Sequence, residues 1–194
     1  MHGQRFHKLL LMGGAKNRRP ASKIALGGVV AALMSAVMLT SWFPYLTYAV
    51  PAVAGLLVIV PMIELSPLWA AMTYVSASVV ALLTAEKEAA LLFVLFFGFY
   101  PILKALFERT GKRWLELLLK ILTFNVAVAL YVALSVWFLG IPLSEFTASP
   151  LGAVTVPALW LGGNAVFFVY DMGATRVISM YILTMHPKIK KILK

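Results

Sequence analysis

The stretch Ile24-Ala-Leu-Gly-Gly-Val-Val-Ala-Ala-Leu-Met-Ser-Ala-Val-Met-Leu-Thr40 contains no charged residue and no proline, and its reading decides the fold class. A helix over it rises about 25 Å at 1.5 Å per residue, close to the ~30 Å hydrocarbon core of a bilayer. The residues just before it are basic: Lys16, Arg18, Arg19 and Lys23. An uncharged run with a basic lead-in is the pattern of a transmembrane helix whose flank stays on the cytoplasmic side.

Five further apolar runs follow. They cover Tyr48 to Leu65, Leu68 to Thr84, Ala89 to Leu106, Leu115 to Leu139, and Val154 to Tyr170 with an apolar extension to Met185. A Ser66-Pro67 turn signal separates the second from the third. The polar segment Glu108-Arg109-Thr110-Gly111-Lys112-Arg113 precedes the fifth, and the stretch Gly140 to Pro150 precedes the sixth. The expectation is an all-α integral membrane protein of six transmembrane helices. Residues 1–20 form a basic cytoplasmic leader, 21–186 the six-helix domain and 187–194 a basic cytoplasmic tail.

Composition agrees. The chain is 62% hydrophobic and 12% charged, with a mean hydropathy of +0.92, whereas soluble domains carry roughly 25% charged residues. A soluble globular domain and a disordered chain are both excluded, the latter because disorder needs low hydrophobicity.

Charge supplies the orientation. Fifteen of the 17 Lys and Arg residues fall in the N-terminal segment, in or beside the loop between the fourth and fifth runs, or in the tail. Lys87 alone lies in a loop on the other face, and Arg176 sits near the end of the sixth run. The positive-inside rule then places both termini in the cytoplasm of a bacterial plasma membrane. The net charge of +10 is read as topology and contact with anionic lipid rather than as a nucleic-acid surface. Leu9 to Met12 is too short for a signal-peptide core, so the leader is expected to stay attached, its apolar residues touching lipid.

The 194 residues include no cysteine, and the three histidines are His2, His7 and His186. No disulfide, thiol nucleophile or Cys-based metal site follows from such a sequence. P-loop, Gly-x-Ser-x-Gly and His-Glu-x-x-His patterns are absent. The expectation is a non-enzyme with no catalytic residue, cofactor or metal.

Candidate binding residues come from three patterns. Gly28, Ala32 and Ala36 lie at i, i+4 and i+8, with Gly27, Ala31 and Ser35 one residue earlier. Small residues in such a row let a second helix come close; packing inside the protein and docking of a partner subunit both use it. Trp42, Phe43, Pro44, Tyr45 and Tyr48 gather at the first outward loop, where an interfacial aromatic belt is the plain reading and a stacking wall for a ligand the sharper one. Glu86, Lys87 and Glu88 occupy the second outward turn and Glu145 the third; these charges act as solvated caps or line an outward pocket with the aromatics.

Polar groups inside apolar runs form the third pattern: Glu64, Asn125, Asn164, Asp171 and Arg176. Such groups face the interior of a bundle. Asn125 and Asn164 suit an interhelical hydrogen bond or a ligand contact. Asp171 and Arg176 are offset by about 140° around a helix, so each is expected to reach another partner, Lys104 or Glu108 among them, with Glu64 a further partner for Arg176.

The six runs, the cytoplasmic termini, the segment Arg19-Pro20-Ala21-Ser22-Lys23-Ile24-Ala25-Leu26 and the pair Ala32 and Ala36 resemble the S component, the substrate-binding membrane subunit, of energy-coupling factor (ECF) transporters. The segments 97–109 and 169–176 are also similar to a group of uncharacterised Firmicutes membrane proteins. The resemblance spans nearly the whole chain through short motifs. It implies a small molecule such as a vitamin, captured from outside. It also implies docking of Ala32 and Ala36 on a transmembrane coupling subunit that works with partner ATPases. Topology alone suggests Trp42, Tyr45, Tyr48, Glu86, Glu88 and Asn164 as the ligand site. A non-transporting scaffold of the MreD type is the alternative and needs no outward hollow. A proton-coupled carrier using Glu64 or Asp171 ranks third.

Overall fold

The computed structural model describes residues 19–142, 144, 155–187 and 189. Among them the chain is all-helical, and five helices are long and apolar enough to cross a membrane: Pro20–Trp42, Pro67–Thr84, Lys87–Thr110, Arg113–Phe138 and Thr155–Thr184. Residues 1–18 of the leader, most of the tail, Glu145 and the expected start of the last run at Val154 lie outside the described residues.

Helix α1 (Pro20–Leu39) begins with proline, whose missing N–H costs nothing in a first turn, and ends in a 3-10 turn, Thr40–Trp42. The two rows of small residues on α1 meet different surroundings. Gly27 is buried, and a Cβ there would stand 3.2 Å from the Thr73 hydroxyl of the adjacent helix. Gly28, Ala32 and Ala36 face out of the bundle, and a Cβ on Gly28 would meet nothing within 4 Å.

The run expected as one continuous helix over residues 48–65 is instead a broken, 16-residue pair, α2 (Ala49–Leu56) and α3 (Ile59–Glu64). Pro61 is the cause. It has no N–H to give the carbonyl of Leu57, and that carbonyl accepts from Val60 in a tighter turn, 3.1 Å away. The pair spans about 24 Å, short of the hydrocarbon thickness. Its own Val50, Ala54, Val58, Met62 and Ile63 are buried, and it forms the centre of the bundle.

Helix α4 (Pro67–Thr84) starts on the side chain of Ser66, which accepts from the Trp69 N–H at 3.4 Å. The next span is composite: α5 (Lys87–Leu92), a π-helical turn Phe93–Phe97, α6 (Tyr100–Phe107) and a 3-10 turn to Thr110. In the π turn the Gly98 N–H reaches back to the Phe93 carbonyl at 2.8 Å. That leaves the Val94 carbonyl to accept from the Tyr74 hydroxyl at 2.7 Å. A Cβ on Gly98 would press into the Tyr74 ring at 2.6 Å, and one on Gly55 would run into the Phe97 carbonyl. Two glycines thus allow α2, α4 and the π turn to cross in close contact.

The two remaining spans are α7 (Arg113–Phe138) and α8 (Thr155–Thr184). A core of Val30, Met34, Met38, Val58, Met62, Ala77 and Phe93 joins the first four spans. A smaller aromatic core of Phe96, Tyr100, Ala127 and Phe167 joins the Lys87–Thr110 span to α7 and α8.

Side-chain contacts define the two ends of the bundle. Trp42 donates its Nε1–H to the Thr84 carbonyl at 2.9 Å, and Ser41 accepts from the Glu86 N–H at 3.0 Å; this is the Glu86 end. At the opposite end the His186 ring nitrogen Nδ1 lies 2.8 Å from Glu64, and the Tyr181 hydroxyl donates to Glu64 at 3.1 Å. The exposed basic residues Arg109, Lys112 and Arg113 occupy the loop before α7.

Candidate functional site

Because α8 meets α7 and the π turn mainly through bulky aromatic side chains, space remains between them. A cavity of about 580 Å³ lies there, lined by Phe96, Phe97 and Leu92 from the composite span, by Phe124, Val128 and Tyr131 from α7, and by residues from Val156 to Tyr170 on α8. Its size falls within the ~300–1,000 Å³ range of small-molecule sites. Among the described residues no charged side chain lines it.

Aromatic rings set its shape. Phe124 and Phe167 stack with centroids 4.8 Å apart at 12°, and Phe96 meets Phe124, Phe167 and Tyr170 edge-on or tilted at 5.5–6.2 Å. These packed rings are pre-formed surfaces for an apolar or aromatic guest. The hydroxyl of Tyr170, at the far end from Glu86, is buried and has no hydrogen-bond partner among the described residues.

Polar groups flank this apolar space. Trp160 donates its Nε1–H to Asn125 Oδ1 at 2.5 Å, Asn125 donates to Asn164 Oδ1 at 3.2 Å, and Asn164 donates to the Trp160 carbonyl at 2.9 Å. The two asparagines therefore satisfy each other across α7 and α8. Asn164 stands behind the cavity wall through Trp160.

At the Glu86 end, Tyr48 lines the cavity, and Tyr131 donates its hydroxyl to Glu88 at 3.4 Å. Glu86 is occupied as a cap, accepting from the N–H groups of Glu88 and Ala89 at 2.9 and 2.8 Å.

Of the six residues suggested as a ligand site, the structure brings Tyr48 to the cavity, Glu88 to its rim and Asn164 to its outer wall. Glu86 closes the neighbouring helix start. Trp42 spends its indole N–H on Thr84. Tyr45 is 98% exposed in a left-handed turn (φ 69°) and lines nothing.

A second cluster lies between the cavity and the Arg109 end. Asp171 accepts from the Tyr100 hydroxyl at 2.7 Å, from Lys104, and from Lys120 at 3.0 Å. Glu108 lies 3.0 Å from Lys104, and Glu116 lies 2.7 Å from Lys120. Asp171 thus reaches Lys104 rather than Arg176. Arg176 is exposed and makes no ion pair among the described residues, while Glu64 is buried against His186 and Tyr181. Lys104 and Lys120 are 1% and 5% exposed.

Sequence reasoning counted Lys120 as a topology charge and missed its burial. The signal was its place between Leu119 and Ile121, with Glu116 one turn earlier. Among the described residues no group of acidic, histidine or cysteine side chains is arranged to hold a metal ion.

No protein-family model, no curated protein and no solved structure matches this chain.

Proposed function

We propose that the chain is the substrate-binding membrane subunit of an ECF-type uptake transporter in a bacterial plasma membrane. In this reading it crosses the bilayer six times, the broken α2–α3 pair counting as the second crossing, with both termini in the cytoplasm. The Glu86 end then faces outside and the Arg109 end the cytosol, in keeping with the positive-inside rule. A small molecule enters the space between α7, α8 and the π turn from the outer half of the membrane.

The observation that carries the reading is the aromatic cavity of about 580 Å³ in the Glu86 half of the bundle. A scaffold of the MreD type has no need of such a hollow, and its interior is expected to be closed. The row Gly28, Ala32 and Ala36, exposed among the described residues, supports the partner side of the proposal. Uptake then depends on a coupling subunit and its ATPases, and this chain performs no chemistry.

Co-purification tests this reading. Ala32→Trp combined with Ala36→Trp leaves the internal contacts of α1 untouched and is expected to abolish recovery of a coupling subunit with ATPases. Recovery of the same complex from the double variant contradicts the docking face.

A further inference from the structure

The cavity's shape and chemistry narrow the class of molecule it takes. Val156, Leu159, Gly163, Val166 and Tyr170 follow one face of α8, so the space runs along the helix for about 21 Å, fourteen residues at 1.5 Å each. An apolar slot of that length along one helix suits an extended hydrocarbon chain lying along the helix.

The slot is also open along its side. Val156, Leu159 and Val166 line it and yet are 56%, 60% and 70% exposed, which in a bilayer means exposed to lipid. At the Glu86 end Tyr48 and Tyr131 line the slot and Glu88 accepts from Tyr131, while at the other end the slot carries the buried Tyr170 hydroxyl and, among the described residues, no carboxylate lines it. Lys87 between the two glutamates is exposed. The Glu88 carboxylate at the Glu86 end favours a head that donates hydrogen bonds and repels an anionic one.

We propose that the slot binds a single-chain lipophile, admitted sideways from the membrane, with its chain along α8 and a hydroxyl or amine head at Tyr48, Tyr131 and Glu88. The proposal rests on the binding reading above and specifies its ligand class. Head chemistry supplies orientation and the chain supplies affinity, because burying each CH₂ contributes about 0.8 kcal/mol.

The test uses the full chain in lipid nanodiscs with radiolabelled farnesol, a chain with a hydroxyl head, against farnesyl diphosphate and riboflavin. Saturable farnesol binding above that of empty nanodiscs, at one per chain, is expected, with the diphosphate at least about tenfold weaker. Gly163→Phe, which fills the slot beside Phe124, is expected to weaken farnesol binding about tenfold or more; if that variant does not fold, Val128→Trp from the facing wall replaces it. Saturable riboflavin binding without farnesol binding overturns the proposal. So do equal affinities for the alcohol and the diphosphate, or undiminished binding in a folded slot-filled variant. Farnesol binding by a chain that recovers no ATPases in its native membrane leaves the ligand class standing and sinks the transporter reading alone.

Discussion

The ammonium of Lys120 stands 3.0 Å from the carboxylate of Asp171, joining α7 to α8 through two groups 51 residues apart in sequence. Lys104 and the Tyr100 hydroxyl reach the same carboxylate from α6. Three spans are therefore tied at one point, just beyond the aromatic floor of the cavity. Buried ion pairs contribute little net stability against apolar replacements, yet removing one partner strands the others. Asp171→Ala is expected to cost about 3–5 kcal/mol, read as a lowered thermal midpoint in detergent. Lys104→Met in the Asp171→Ala background is expected to recover part of it. Strictly additive losses in that double-mutant cycle would mean that the cluster does not act as a unit.

The glycines separate into tight and open sites. Gly98→Ala forces a Cβ into the Tyr74 ring and is expected to destabilise by about 1–3 kcal/mol through overpacking. Gly28→Ala meets open space and is expected to be neutral or to stabilise by up to about 1 kcal/mol, since alanine is the better helix former. Parallel thermal melts of the two variants decide the matter; equal losses contradict the close crossing at the π turn.

The asparagine pair ties α7 to α8 beside the cavity. Asn125→Leu removes the acceptor of the Trp160 indole and the donor to Asn164. A loss of about 0.6–2 kcal/mol is expected, the usual range for interhelical hydrogen bonds in membranes. Trp160→Phe in the same background should add little if the two act together. A full additional loss would separate them.

How far the fold was legible in the sequence depends on the kind of signal. Uncharged runs mark the long helices because every backbone group in lipid must be paired internally, and the boundaries of α4 and α7 fall within a few residues of those runs. Hydropathy does not register a missing N–H, so the break at Pro61 was read through. The two small-residue rows of α1 were visible, but only the Thr73 and Trp69 side chains across the helix pair separate the buried row from the open one. Asp171 announced itself as a charge in an apolar run, and its offset from Arg176 correctly pointed elsewhere. The cavity left almost no trace, because a hollow depends on how far α8 stands from α7, and Phe96, Phe124 and Phe167 look like ordinary core aromatics.

Topology can be probed cleanly because the chain has no cysteine. In intact cells, Tyr45→Cys is expected to react with a membrane-impermeant maleimide and Thr110→Cys to react only after lysis, as the positive-inside rule requires. Labelling of Thr110→Cys from outside would invert the assignment of the two ends and place the cavity in the inner half of the bilayer.

The central claim is that the space between α7, α8 and the π turn holds a small molecule. Native mass spectrometry of the full chain released gently from its own membrane tests it most directly. The account predicts one retained small molecule per chain, absent from the slot-filled Gly163→Phe variant. A chain that carries no such mass, or a folded Gly163→Phe protein that carries it undiminished, would contradict it.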